Sequence, residues 1–259
     1  MPESQDTTSQ TDQQAGEQTE LQANPQAKPF QRVGGGTQLD QQLNSLRRRL
    51  IREASQAVDL LSRSIEVLWT ADREGAKEVK RIEKQIDIEE VRIEQECFRI
   101  LALQQPFGAD FRLITFSLKA NSDIERLADH ASSIAKISKK FEAESPDWPE
   151  SLREMGERVP MMCQELLRAV IGADIVAAKE VVKSDKVIDK LDKQTFKELT
   201  QRIEAHPTSA SDYMLMYRIS RELERVGDLL GNIAEDIVYL VTGDIIRHAP
   251  KPKKKKTEQ

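Results

Sequence analysis

From residue 39 onward, apolar side chains recur at steps of three and four. Leu39, Leu43, Leu46, Leu50, Ala54, Ala57, Leu61, Ile65 and Leu68 keep this rhythm for eight turns, the stripe of a helix that packs one face into a bundle. Thr70 and Asp72 interrupt it, and both are good N-caps for a second helix. That helix is predicted to run to about Leu103, along Val79, Ile82, Ile86, Ile93, Cys97 and Ile100. Pro106 and Gly108 turn the chain into a third helix, with Phe111, Ile114, Leu118, Ala128, Ala131, Ile134 and Ala135 inward. Pro146 and Pro149 bracket a short linker, Asp147 and Trp148. A fourth helix then carries Leu152, Met155, Val159, Cys163, Leu166 and Val170, and Pro160 is expected to kink or restart it. Gly172 ends that helix, and Asp174 can cap a fifth that continues towards Glu204. Pro207 marks the next turn. The sixth helix is predicted from about Ala210 to Thr242, with Gly243 as its C-terminal stop.

The two halves of this pattern repeat each other. Shifted by 102 positions, Ala76, Lys77, Glu78, Val79, Lys84, Ile86 and Asp87 fall on Ala178, Lys179, Glu180, Val181, Lys186, Ile188 and Asp189. Glu83 falls on Asp185, which keeps the charge and loses a methylene. Shifted by 99, Glu125, Arg126, Asp129, Ile134 and Ala135 fall on Glu224, Arg225, Asp228, Ile233 and Ala234. Self-similarity at a fixed offset signals duplication. The expected fold is all-α, two tandem three-helix bundles over 37–144 and 148–248. The segment 1–36 holds eight Gln and few apolar residues, too little to offset its ordering entropy. It and the Lys-rich tail 249–259 are expected to be disordered.

Composition sharpens the fold class. Residues 37–248 hold only 12 Gly and Pro, too few for the turns that a β-sandwich or barrel needs every 8–12 residues. No apolar run reaches the length of a membrane-spanning helix, and no secretory signal opens the chain. Cys97 and Cys163 fall inside helical patterns and read as buried thiols of an intracellular protein. Net charge is −5, although the tail carries five lysines, so the body is acidic and nucleic-acid binding is not expected. The run Lys253 to Lys256 reads as a solubilising tail, with contact to an anionic membrane face as the alternative.

One chemical theme recurs within the repeat: two acids four residues apart. The pairs are Glu83 with Asp87, Glu125 with Asp129, Asp185 with Asp189, and Glu224 with Asp228. Acids fill 44 of 259 positions, so about seven such pairs arise by chance, and a single pair is an ordinary solvated face. These four differ in recurring at the duplicated positions, beside the apolar stripe. Like charges at i and i+4 destabilise a helix, and a hard cation with oxygen ligands reverses that sign and joins two helices. Salt bridging through Arg126 and Arg225 is an alternative use of the same acids. A carboxylate-bridged oxidase would need Glu-x-x-His pairs. The three histidines, His130, His206 and His248, supply none. No nucleophile constellation or phosphate-cradling glycine loop appears either, and an enzyme is not expected.

The stretch Leu223-Glu224-Arg225-Val226-Gly227-Asp228, then Asn232-Ile233-Ala234-Glu235 and Val238-Tyr239-Leu240-Val241-Thr242-Gly243, resembles the PhoU family. So do Gln105-Pro106, Asp110-Phe111-Arg112, Lys119, Asp123, Glu125-Arg126-Leu127 and Asp129-His130. The resemblance covers about residues 38–248. It implies a non-enzymatic regulator of phosphate uptake that links the phosphate-specific ABC transporter, through its ATPase subunit, to the phosphate-sensing histidine kinase. Such a protein represses the phosphate-starvation response when phosphate is plentiful. An accessory protein of a secondary phosphate transporter shares the same bundle and is the alternative, with a metal-dependent oxidase further behind. The resemblance also implies a homodimer, a cytoplasmic location with membrane association through partners, and no organic cofactor. Multinuclear iron or zinc, or another divalent metal, would be held by Glu83, Asp87, Glu125, Asp129, Asp185, Asp189, Glu224 and Asp228. Three positions depart from the family pattern: Ser133 in place of the Asn seen here as Asn232, Leu229 in place of the usual His, and Ala128 in place of the usual Gly. The two sites are therefore expected to differ.

Overall fold

A computed structural model of the chain describes residues 37–141 and 146–245. The Gln-rich segment 1–36, the tail 249–259 and the boundary residue 144 lie outside the described residues, and so do the expectations of disorder attached to them. Among the described residues there are six long helices and no strand: α1 Gln38–Thr70, α2 Arg73–Gln104, α3 Ala109–Ser138, α4 Glu150–Gly172, α5 Ile175–Ala205 and α6 Ala210–Thr242. A single 3-10 turn, Pro207–Ser209, links α5 to α6.

The helix ends follow local chemistry. Thr37 caps α1 by accepting the Asp40 N–H at 3.2 Å. Asp72 caps α2 through the Glu74 N–H at 3.0 Å, while Thr70 remains the last residue of α1. Asp174 caps α5 by accepting from Val176 and Ala177 at 2.8 and 3.0 Å. Each side chain satisfies donors that the helix cannot. At the other ends Ala71, Gln105, Ala173 and Gly243 take the left-handed conformation, the usual C-terminal stop. Glycine suits the last of these, and three L-residues adopt it at some cost.

Two expectations are corrected. Of the two outcomes expected for Pro160, a kink or a restart, the restart does not occur: α4 runs through it from Glu150 to Gly172. The proline ring meets the carbonyl four residues earlier, and that residue is Gly156, which has no side chain to add to the crowding. Phe111 does not point inward but is 44% exposed on the first turn of α3. The remaining stripe positions of the six helices are buried or partly buried against the core.

Each half is a three-helix bundle, and the halves join along two seams. On the longer seam α3 packs antiparallel to α6. Arg112 Nε donates to the Leu240 carbonyl at 3.3 Å, and Lys119 meets Asp236 at 3.2 Å. His130 pairs with Glu222 further along. On the shorter seam α1 meets α4, where Trp69 lies so close to Gly156 that a Cβ there would be 2.7 Å from its ring. The linker is pinned to the same place. Trp148 is buried, with its ring 5.1 Å from Trp69 and 5.0 Å from Phe141, both edge-on. One apolar cluster runs through both halves, and a small cavity of about 30 Å³ between Leu50, Phe116, Leu127, Cys163 and Leu230 sits on the seam. Burial pushes the thiols of Cys97 and Cys163 up to about 12, and both are free.

Candidate metal centre

In each half, α2 or α5 faces α3 or α6 with its acids at the edge of the core. The structure brings ligand atoms of Glu83, Asp87 and Asp129 within 4.8 Å of one another, and likewise those of Asp189, Glu224 and Asp228. Of the eight predicted acids, six therefore fall into two trios. Glu125 and Asp185 stand beside them, close enough for their charges to act on the trio members.

The trios are not copies of each other. By register the counterpart of Glu83 is Asp185, yet Glu83 belongs to its trio and Asp185 does not. The shorter Asp185 packs on α6, where Gly227 opens room for it: a Cβ at Gly227 would come within 3.0 Å of Asp185 Oδ1. The position matching Gly227 in the first half is Ala128, so the half with the longer acid carries a methyl there and the half with the shorter acid does not. The place left by Asp185 is taken by Glu224. Its Oε1 accepts from Arg221 at 2.9 Å, and the same arginine holds Asp192 at 2.9 Å. Nothing in the first half corresponds to Arg221, whose counterpart is Ser122. There the compensating cation is Lys80, paired with Glu83.

Several carboxylate oxygens in these clusters are buried without a hydrogen-bond partner: Glu83 Oε2, Asp87 Oδ1, Asp185 Oδ1 and Glu224 Oε2. Protein interiors rarely leave such atoms unmatched, and a carboxylate without protons has only lone pairs to offer. Burial and mutual repulsion raise the affinity of the clusters for protons. Asp87 is pushed up by burial and by Glu83, and Asp129 by burial and by Glu83 and Asp87. In the second half Asp185 rises to about 6 through burial and the charges of Asp228, Asp189 and Glu224. Glu224 and Asp228 rise as well, burial being the leading cause in both. A set of oxygens whose mutual repulsion favours taking up protons fits a hard cation equally well.

The sequence pattern alone missed three groups here. Glu53 on α1 is fully buried with neither oxygen partnered. Burial, with Glu89, Glu90 and Glu125 nearby, pushes its carboxyl up to about 8. Its position, three after Leu50 and four before Ala57, was the available signal, because it lies on the apolar stripe. Glu90 is half-buried and raised too, first by burial and then by Glu94 and Asp87. The third group is Glu222, which accepts from Ser133 Oγ at 2.9 Å and lies 2.6 Å from His130 Nδ1. Burial works against its charge, but those two partners hold its carboxyl below the usual range. Ser133 thus serves as a hydrogen-bond donor across the seam.

An all-helical fold of two three-helix halves with duplicated carboxylate clusters on its inter-helix edges, and no helix among the described residues long and apolar enough to cross a membrane, defines the class. The family model for the PhoU domain matches residues 50–138 and 152–237, once per half. The chain belongs to the PhoU family. It is 34% identical to the phosphate-specific transport system accessory protein PhoU homolog of Pseudomonas aeruginosa, over 82% of this chain and 88% of that one. It is 30% identical to the PhoU accessory protein of Escherichia coli over the same shares. Among solved structures, PhoU from Pseudomonas aeruginosa matches with a TM-score of 0.77 at 34% identity, covering 80% of this chain and 100% of that one. The phosphate transport system regulatory protein PhoU from Streptococcus pneumoniae matches at 0.74 and 27% identity, over 81% and 99%.

Proposed function

We propose that this protein is an accessory regulator of phosphate uptake, linking a phosphate-specific ABC transporter to its sensor kinase and repressing the starvation response when phosphate is plentiful. The observation that carries this reading is the match of both halves to the PhoU domain, together with relatives named as accessory proteins of the phosphate-specific transport system. Those names fit a non-enzymatic adaptor. Long helix faces in an acidic body suit docking to the transporter ATPase and the kinase, and membrane association would then come through those partners at its inner face. Deleting the gene should derepress phosphate-starvation genes in phosphate-rich medium; unchanged expression would count against the role.

Metal binding belongs to the same reading. Glu83, Asp87 and Asp129 would hold a cation in the first half, and Asp189, Glu224 and Asp228 in the second, with Glu125 and Asp185 extending each set. Oxygen-only donors favour a hard cation such as iron or manganese over zinc, which prefers nitrogen and sulfur. A bound cation would neutralise the repelling acids and fasten α2 to α3 and α5 to α6. Each site already carries one compensating cation, Lys80 at the first and Arg221 at the second. Elemental analysis of protein purified without chelators should find metal, with Asp129→Ala removing the fraction held at the first site and Asp228→Ala that held at the second. Wild-type protein with none would remove the proposal.

A further inference from the structure

A cleft of about 560 Å³ opens where α2, α3 and α6 meet, beside the first carboxylate trio. Four cationic side chains line it: Lys80 from α2, Lys136 from α3, Lys139 just past the end of α3, and Arg218 from α6. Its acids are Glu83, Asp129 and Glu222. Two of these are already engaged, Glu83 with Lys80 and Glu222 with His130 and Ser133. Lys136, Lys139 and Arg218 have no ion pair or hydrogen bond among the described residues. Three positive charges converging on one concavity repel each other unless an anion lies between them.

The rest of the wall supplies further donors beside apolar surface. Ser132 adds a hydroxyl one turn before Lys136 on α3. His130 has its Nδ1 turned to the buried carboxylate of Glu222, which leaves Nε2 as the ring atom available to a ligand. An imidazole oriented from behind by a carboxylate is held in place for such a contact. Arginine and lysine together match a tetrahedral oxyanion, the arginine by a pair of parallel hydrogen bonds and the lysines as point charges. The volume lies in the range of small-molecule sites.

We propose that this cleft binds a phosphate group, as free orthophosphate or as the phosphoryl end of a nucleotide, through Lys136, Lys139, Arg218 and His130. That an oxyanion binds is argued from the cations alone; the choice of phosphate rests on the phosphate-uptake reading. Calorimetric titration of the full chain with orthophosphate, with ATP and with sulfate tests it. Saturable binding of orthophosphate or of ATP is expected, and which of them binds names the source of the group. Affinity should fall at least about tenfold in Lys136→Gln and again in Arg218→Gln, with thermal stability and metal content unchanged because both residues are exposed. Binding of neither phosphate ligand would overturn the proposal, as would a Lys136→Gln, Arg218→Gln double variant with wild-type affinity. Sulfate bound as tightly as phosphate would overturn the choice of anion. Failure of the gene-deletion experiment would defeat the uptake reading and leave these titrations standing.

Discussion

Glu53 puts a carboxyl where the second half of the molecule has a thioether: its counterpart by register is Met155, which touches Ser220 and Thr195. A buried carboxylate without donors is costly when ionised, which is why the group is pushed up to about 8. The folded protein therefore binds a proton that the unfolded chain releases near pH 4.5. Stability of metal-free protein from this group is fully present below that pH and is lost as pH rises towards 8. Glu53→Gln should flatten this dependence and stabilise the protein at pH 8 by about 1–3 kcal/mol, read from urea unfolding at several pH values. Gly227 shows the opposite sensitivity. A methyl added there would meet Asp185 Oδ1 at 3.0 Å, so Gly227→Ala should cost about 1–3 kcal/mol by overpacking and disturb the second site while sparing metal at the first. The acid pairs were legible in the sequence because i and i+4 share a helix face. Which acids would meet was not, since the exchange of Glu83 for Asp185 and of Ala128 for Gly227 acts only when two helices are in contact.

The helices themselves were written almost completely into the chain. Steps of three and four marked the buried faces, and Asp72, Asp174 and Gly243 marked ends that the structure uses in the expected way. Asp174 satisfies two backbone donors, so Asp174→Ala should cost about 1 kcal/mol, visible as a lower thermal midpoint. Pro160 does not restart the helix because a proline rule describes the helix alone, whereas α4 is held from Leu152 to Val170 by buried side chains. Packing of that extent tolerates one missing backbone bond. Replacing Pro160 by Ala restores the N–H and should raise stability by about 1–3 kcal/mol, measured by chemical denaturation. Phe111 was misplaced for a related reason: a first-turn residue follows the stripe only if another helix extends far enough to cover it.

The assembly of the two halves depends on contacts far apart in sequence. Trp148 fastens the linker to Trp69 and Phe141, and Arg202 grips the Asp147 carbonyl and carboxylate at 2.7 and 3.0 Å. Removing so large a buried ring should be expensive: Trp148→Ala is expected to lose about 3–5 kcal/mol, followed by circular dichroism because the change removes a fluorophore. The α3–α6 seam also places His130 of one half against Glu222 of the other, and with that creates the cationic cleft. Neither arrangement repeats a local motif. Helix formation and the pairing of acids along one face depend on neighbours three or four residues apart, and duplication shows as the same residues recurring at a fixed offset, so the amino-acid order was enough to determine all three. The unequal trios, the uncompensated Glu53 and the cleft arise from side chains about 30 to 140 positions apart along the chain. Their energies depend on distance, burial and the length of single side chains, and these acquire values only once the helices are packed.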